Sequence, residues 1–121
     1  MSVDLSSSKR CVVIVERDDL IRELLARWVT EAGYEVAIGG APPPATALVV
    51  ADVPDPRQAA AVVKELGARY GAPVLLTSGR FRFDVAASHE AARKFGVRRL
   101  LPKPFTREEF LVAVDETLRA R

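Results

Sequence analysis

Four apolar runs in this chain end on polar side chains, and the types at those ends could do chemistry together. Leu48-Val-Val-Ala-Asp52 ends in a carboxylate. Val12-Val-Ile-Val15 runs into Glu16, and Val74-Leu-Leu76 runs into Thr77. The run from Val97 to Leu101, broken by Arg98 and Arg99, passes through Pro102 to Lys103. A carboxylate is a candidate nucleophile or cation ligand, and an amine is a candidate partner for anionic oxygens. The Asp52 run has no polar residue inside it, so it reads as a strand buried on both faces. The carboxyl ends of such strands are where open α/β sheets bind ligands. Packing alone does not ask for two acids, a hydroxyl and an amine at four strand ends.

The elements that must position these residues follow in chain order. Met1 to Lys9 is Ser-rich and reads as a flexible tail, with one domain over 10–121. Strand one covers about Arg10 to Val15, and Asp18 or Asp19 can cap the helix after it. In that helix Leu20, Ile21, Leu24, Leu25, Trp28 and Val29 are expected on one inward face, and Gly33 ends it. Tyr34 to Ile38 alternates as an edge strand. Gly39-Gly-Ala-Pro-Pro-Pro44 cannot be a helix interior, so the second helix is expected to be shortened or absent. Pro56 suits the first turn of a helix running to about Leu66, with Ala59, Val62, Val63 and Leu66 inward and Gly67 closing it. Pro73 to Thr77 is strand four, and Ser78-Gly79 is a turn signal. Phe83 or Asp84 begins the next helix, which ends near Phe95-Gly96. Strand five follows. Thr106 and Glu109 form a capping box before a helix with Phe110, Leu111, Val114 and Leu118 inward. This alternation implies a parallel sheet covered on both faces.

Composition narrows the class. With 121 residues, 49% of them hydrophobic, the chain has material for one folded core. A net charge of +2 gives no argument for nucleic acid. The single cysteine, Cys11, opens a buried strand and reads as a small core hydrophobe. No apolar run is long enough to span a bilayer, and Met1 to Arg10 lacks the apolar centre of a signal peptide. The expected compartment is the cytoplasm. There is no Gly-rich phosphate loop, dinucleotide fingerprint or Cys/His metal spacing. His89 lies in a polar stretch and reads as a surface residue, and Ser78 has no base at a recognisable spacing.

Read together, Val-Ile-Val-Glu-Arg-Asp-Asp-Leu-Ile-Arg22, Leu-Val-Val-Ala-Asp52, Pro-Val-Leu-Leu-Thr77 and Leu-Pro-Lys-Pro-Phe105 resemble the receiver (response-regulator) domain of two-component signalling over roughly Arg10 to Arg119. The order and spacing of the four blocks carry the resemblance. It implies a doubly wound, five-stranded parallel sheet of flavodoxin-like order 2-1-3-4-5. It implies that Asp52 accepts a phosphoryl group from a kinase phosphohistidine, that Lys103 pairs with a phosphoryl oxygen, and that Thr77 bonds the phosphate when the domain switches. Glu16, Asp52 and the backbone carbonyl of Pro54 would face Mg²⁺. The Lys103-Pro104 bond would be cis. The implied partners are a histidine kinase or phosphotransfer protein and a downstream protein target. Arg93, Arg98 and Arg99, with Arg80, Arg82 and Lys94, would lie on the signalling and pairing face, so a homodimer is open. No enzymatic activity is implied beyond self-phosphorylation and dephosphorylation.

Departures from the family pattern keep two mechanisms open. Arg17 stands where the second acidic residue is usual, and a guanidinium has no acceptor for a cation. Leu100 stands where many receivers have an aromatic, and Asp55 replaces the usual Met of the loop after the phosphoacceptor. Glu16 and Asp52 facing Arg17 and Lys103 give a formal charge of zero, where a typical receiver pocket has −2. At about 4 Å each unit charge is worth roughly 4 kcal/mol at an effective dielectric near 20. Mg²⁺ binding is therefore expected to be weak or absent, with Arg17 pairing with Glu16 or Asp52 where the metal would sit. One mechanism is an atypical phosphoacceptor with weakened Mg²⁺ dependence. The other is a degenerate receiver, a protein-binding module that works without phosphorylation.

Overall fold

The computed structural model describes residues 10–39, 45–79, 90, 92–97 and 99–119. The expected tail at 1–9, most of the Pro-rich stretch, Arg80, Arg82, the start of the helix near Phe83, His89 and Arg98 lie outside the described residues.

Five parallel strands form one sheet in the order β2-β1-β3-β4-β5. They are β1 Cys11–Val15, β2 Glu35–Ile38, β3 Thr46–Asp52, β4 Val74–Ser78 and β5 Leu100–Pro102. Helix α1 spans Asp19–Glu31, α2 spans Ala59–Tyr70 after a 3-10 turn at Pro56–Gln58, and α3 spans Arg107–Arg119. Residues 92–95 are also helical.

Strand residues alternate between two cores, as a pleat with period two requires. Val12, Ile14, Leu48, Val50 and Leu75 pack with Leu25 and Val29 of α1 and with Phe110, Val114 and Leu118 of α3. Val13, Val49, Ala51 and Leu76 pack on the other face with Ala59, Leu66 and Tyr70 of α2 and with Ala92 and Val97. Each fully buried Val, Leu, Ile or Phe among them contributes about 1.5–3 kcal/mol. The doubly wound sheet and its expected order are thus present. Between β2 and β3 only residues 39–45 intervene, too few for a helix of ordinary length.

Local details differ from expectation. Leu20 and Leu24 are 81% and 42% exposed, so they lie off the buried face of α1. Gly67 does not end α2. A glycine there costs about 1 kcal/mol, but buried Leu66 and Tyr70 carry the helix onward. Gly71, at φ 62°, ends it in the left-handed conformation glycine adopts freely. Strand β5 begins at Leu100 and not Val97. Val97 instead closes the helical turn before it, donating its N–H to the Ala92 carbonyl at 2.9 Å past Gly96 at φ 77°.

Candidate functional site

Four strand exits meet at one edge of the sheet. Glu16 leaves β1 and is buried. Its Oε1 accepts from Lys103 Nζ at 2.9 Å, and its Oε2 accepts from the Asp18 backbone N–H at 3.0 Å. Arg22 of α1 donates to the Glu16 carbonyl at 2.9 Å. Both side-chain oxygens of Glu16 are therefore engaged. Asp18 itself caps α1, accepting from the Ile21 N–H at 3.0 Å, as a cap residue should.

Asp52 is the last residue of β3. Its Oδ1 accepts from the same Lys103 ammonium at 2.9 Å. The Asp52 side chain is 13% exposed, and Oδ2 has no hydrogen bond among the described residues. Thr77 of β4 pairs in register with Asp52, and its carbonyl accepts from the Val53 N–H at 3.0 Å. The Thr77 hydroxyl is buried without a partner among the described residues. Buried hydroxyls are usually hydrogen-bonded, so this one calls for an explanation.

Lys103 is aimed by its backbone. It follows β5, its N–H donates to the Ser78 carbonyl at 2.9 Å, and the Lys103–Pro104 bond is cis, as the resemblance implied. Burial alone would lower the Lys103 pKa, but hydrogen bonds to Glu16 and Asp52, with their negative charge, outweigh it and hold it raised. After Pro104 the chain enters α3 through the expected capping box. Glu109 N–H donates to Thr106 Oγ1 at 3.0 Å, and Thr106 N–H donates to Glu109 Oε1 at 2.8 Å.

The expected placement of Arg17 is overturned. Its side chain is exposed and pairs with neither Glu16 nor Asp52, and no partner holds it among the described residues. Lys103 takes both carboxylates. Its anchored backbone lets one ammonium bridge two acids, whereas Arg17 lies on the exposed turn into α1. Pro54 is exposed two residues past Asp52. The expected basic face is only partly brought together. Arg93 is exposed, but Arg99 is engaged by Glu116 of α3. Asp55 is bonded by the Arg57 guanidinium and backbone.

Among the described residues the pocket offers few oxygen donors to a divalent cation. Hard cations take six or more oxygen ligands, usually with several carboxylates or waters. Here two carboxylates converge, both already accept from an ammonium, and position 17 supplies a donor. No group of three His, Cys, Asp or Glu side chains suited to a metal occurs among the described residues.

An apolar groove of about 380 Å³ adjoins the site, lined by Ile21, Leu24, Leu25, Trp28, Lys103, Pro104 and Phe105. Lys103 is thus common to the groove and the carboxylate pair. Phe105 stacks on Phe110 at 5.8 Å between ring centroids, and Trp28 meets Phe105 edge-on at 6.5 Å and Phe110 at a tilt at 5.8 Å. The signal for the groove was present in α1, whose apolar positions are too many for one buried face.

No family model matches the chain, and no curated protein does. Solved structures do. A CheY-like response regulator receiver domain protein from Methanospirillum hungatei is 20% identical with a TM-score of 0.68, covering 93% of this chain and 96% of that one. A response regulator receiver protein from Burkholderia phymatum is 24% identical with a TM-score of 0.68, covering 92% and 96%. A response regulator from Thermotoga maritima is 14% identical with a TM-score of 0.71, covering 92% and 98%. The chain has the fold of CheY-like receiver domains. Among the described residues no helix is long and apolar enough to cross a membrane.

Proposed function

We propose that residues 10–121 act as a receiver-type signalling domain in which Asp52 accepts a phosphoryl group from a histidine kinase or phosphotransfer protein and passes the signal to a protein target. The observation that carries this reading is the state of three neighbouring groups. Among the described residues, Asp52 has one oxygen held by Lys103 and the other unbonded, and the Thr77 hydroxyl beside it is buried without a partner. A phosphoryl group on Oδ2 gives Thr77 an acceptor and gives Lys103 an anionic oxygen. The chemistry needs little from the protein beyond positioning and charge. Incubation with phosphoramidate followed by intact-mass measurement tests it, with gain of one phosphoryl group the expected result.

A second reading, a binding module independent of phosphorylation, is favoured by the groove. Leu24, which lines it, is exposed, as is Leu20 one turn earlier in α1, and exposed Arg17 before the helix and Arg27 within it flank them in sequence. That pattern fits an amphipathic partner helix with carboxylates at both ends of its apolar stripe. Binding that persists unchanged in an Asp52→Asn protein would favour this reading over the first.

A further inference from the structure

The pocket has a gap in its charge balance. Glu16 and Asp52 carry two negative charges against one ammonium, a formal −1. An acyl phosphate at Asp52 adds one more negative charge. The oxygens of Glu16 are already engaged by Lys103 and the Asp18 N–H, so the donor set gives a metal little to hold. One cation stands within reach and is not committed to any group among the described residues. Arg17 directly follows Glu16, which leaves β1 beside Asp52, since Val15 and Ala51 are partners in register. Its stem has to cover about one strand spacing, ~4.8 Å, and one residue's rise.

We propose that Arg17 is the second cation of this pocket. When Asp52 is phosphorylated, the Arg17 guanidinium turns from solvent onto the phosphoryl oxygens and does in cis what a divalent cation would otherwise do. The inference rests on Asp52 being the phosphoacceptor. A guanidinium presents paired N–H donors that match phosphoryl oxygens, and an arginine in that role accelerates phosphoryl transfer elsewhere. In the step, Asp52 Oδ2 attacks phosphorus of a phosphoramidate as the P–N bond breaks. The leaving nitrogen keeps the bonding pair and departs as neutral amine, and its protonated form in the donor supplies the balance. The product is an acyl phosphate contacted by Lys103, Thr77 and Arg17. With Arg17 engaged, the formal charge returns to its value before transfer.

The test uses the full chain and phosphoramidate, with either a chelator or Mg²⁺, read by intact mass over time. The parent is expected to react equally fast with and without Mg²⁺. Arg17→Ala is expected to react at least about tenfold slower in chelator, with Arg17→Lys between it and the parent because an ammonium keeps the charge and loses the paired donors. Since Arg17 is exposed, folding of the variants is checked by the single Trp28 fluorescence. A parent that reacts only with Mg²⁺, or an Arg17→Ala protein that matches it in chelator, overturns the role of Arg17 and leaves Asp52 standing. No reaction of any variant under any condition overturns the phosphoacceptor reading and this inference with it.

Discussion

The Lys103 ammonium donates to Glu16 Oε1 at 2.9 Å across 87 residues of sequence. The same nitrogen holds Asp52, so one side chain from the last strand joins the exits of the first and third. The candidate site and local stability are therefore coupled at Lys103. Removing it leaves two carboxylates facing each other without a counter-charge, in a setting only 3–18% exposed. Lys103→Met is expected to destabilise the domain by about 3 kcal/mol, the low end for a broken buried pair. Urea unfolding measures it.

The pH dependence of that bridge has a definite sign. The folded Lys103 pKa is raised above its ordinary value. Its contribution is fully present below the unfolded lysine value of about 10.4 and is lost as pH rises through the folded value. The stability gap between the parent and Lys103→Met should stay constant from neutral pH to about 10 and narrow above it. A gap that widens in alkali would mean that the ammonium is not what the two carboxylates hold.

Much of this architecture could be read from residue order, and the reasons are physical. The runs at Val12, Leu48 and Val74 are continuous because both sheet faces are covered, and Asp18, Thr106 and Glu109 are caps with local chemistry. What could not be read depends on competition between side chains. Arg17 and Lys103 are both cations near Glu16, and the bond from Lys103 to Asp52 depends on the Lys103 backbone being held by the Ser78 carbonyl. Gly67 and Gly71 are both plausible helix ends, and burial of Tyr70 decides between them. Leu20 and Leu24 fit the apolar period of α1 yet are exposed, and Leu24 lines the groove.

Thr77 gives a prediction against the usual cost of losing a polar group. Its buried hydroxyl has no partner among the described residues, so an apolar replacement of the same shape relieves an unsatisfied group. Thr77→Val is expected to be neutral or to stabilise by about 1 kcal/mol. A loss above about 2 kcal/mol in urea unfolding would show that the hydroxyl is bonded.

The Cys11 thiol should be inert in the native state. Burial pushes its pKa up, and Glu35 on the neighbouring strand adds to the shift. Alkylation requires thiolate and access. Reaction with a neutral maleimide is expected only as denaturant unfolds the chain, tracking loss of Trp28 fluorescence. Rapid labelling of the folded protein would show that β1 opens locally.

Metal binding is expected to separate this pocket from one with a full acidic pair. Arg17→Asp replaces the cation next to Glu16 by a carboxylate, a change in the direction that favours a metal ion. Amide shifts of Glu16, Asp52 and Thr77 should not saturate with low-millimolar Mg²⁺ in the parent and should do so in Arg17→Asp. Saturable shifts in the parent would show that Glu16 releases Lys103 to a metal.

Peptide-resolved mass spectrometry after phosphoramidate treatment tests whether Asp52 is the phosphoacceptor. Its assignment predicts one phosphoryl group, carried by the peptide containing Asp52 in the parent and absent from an Asp52→Asn protein treated in parallel. Equal phosphoryl incorporation into the Asp52→Asn protein, or none into the folded parent, would contradict it.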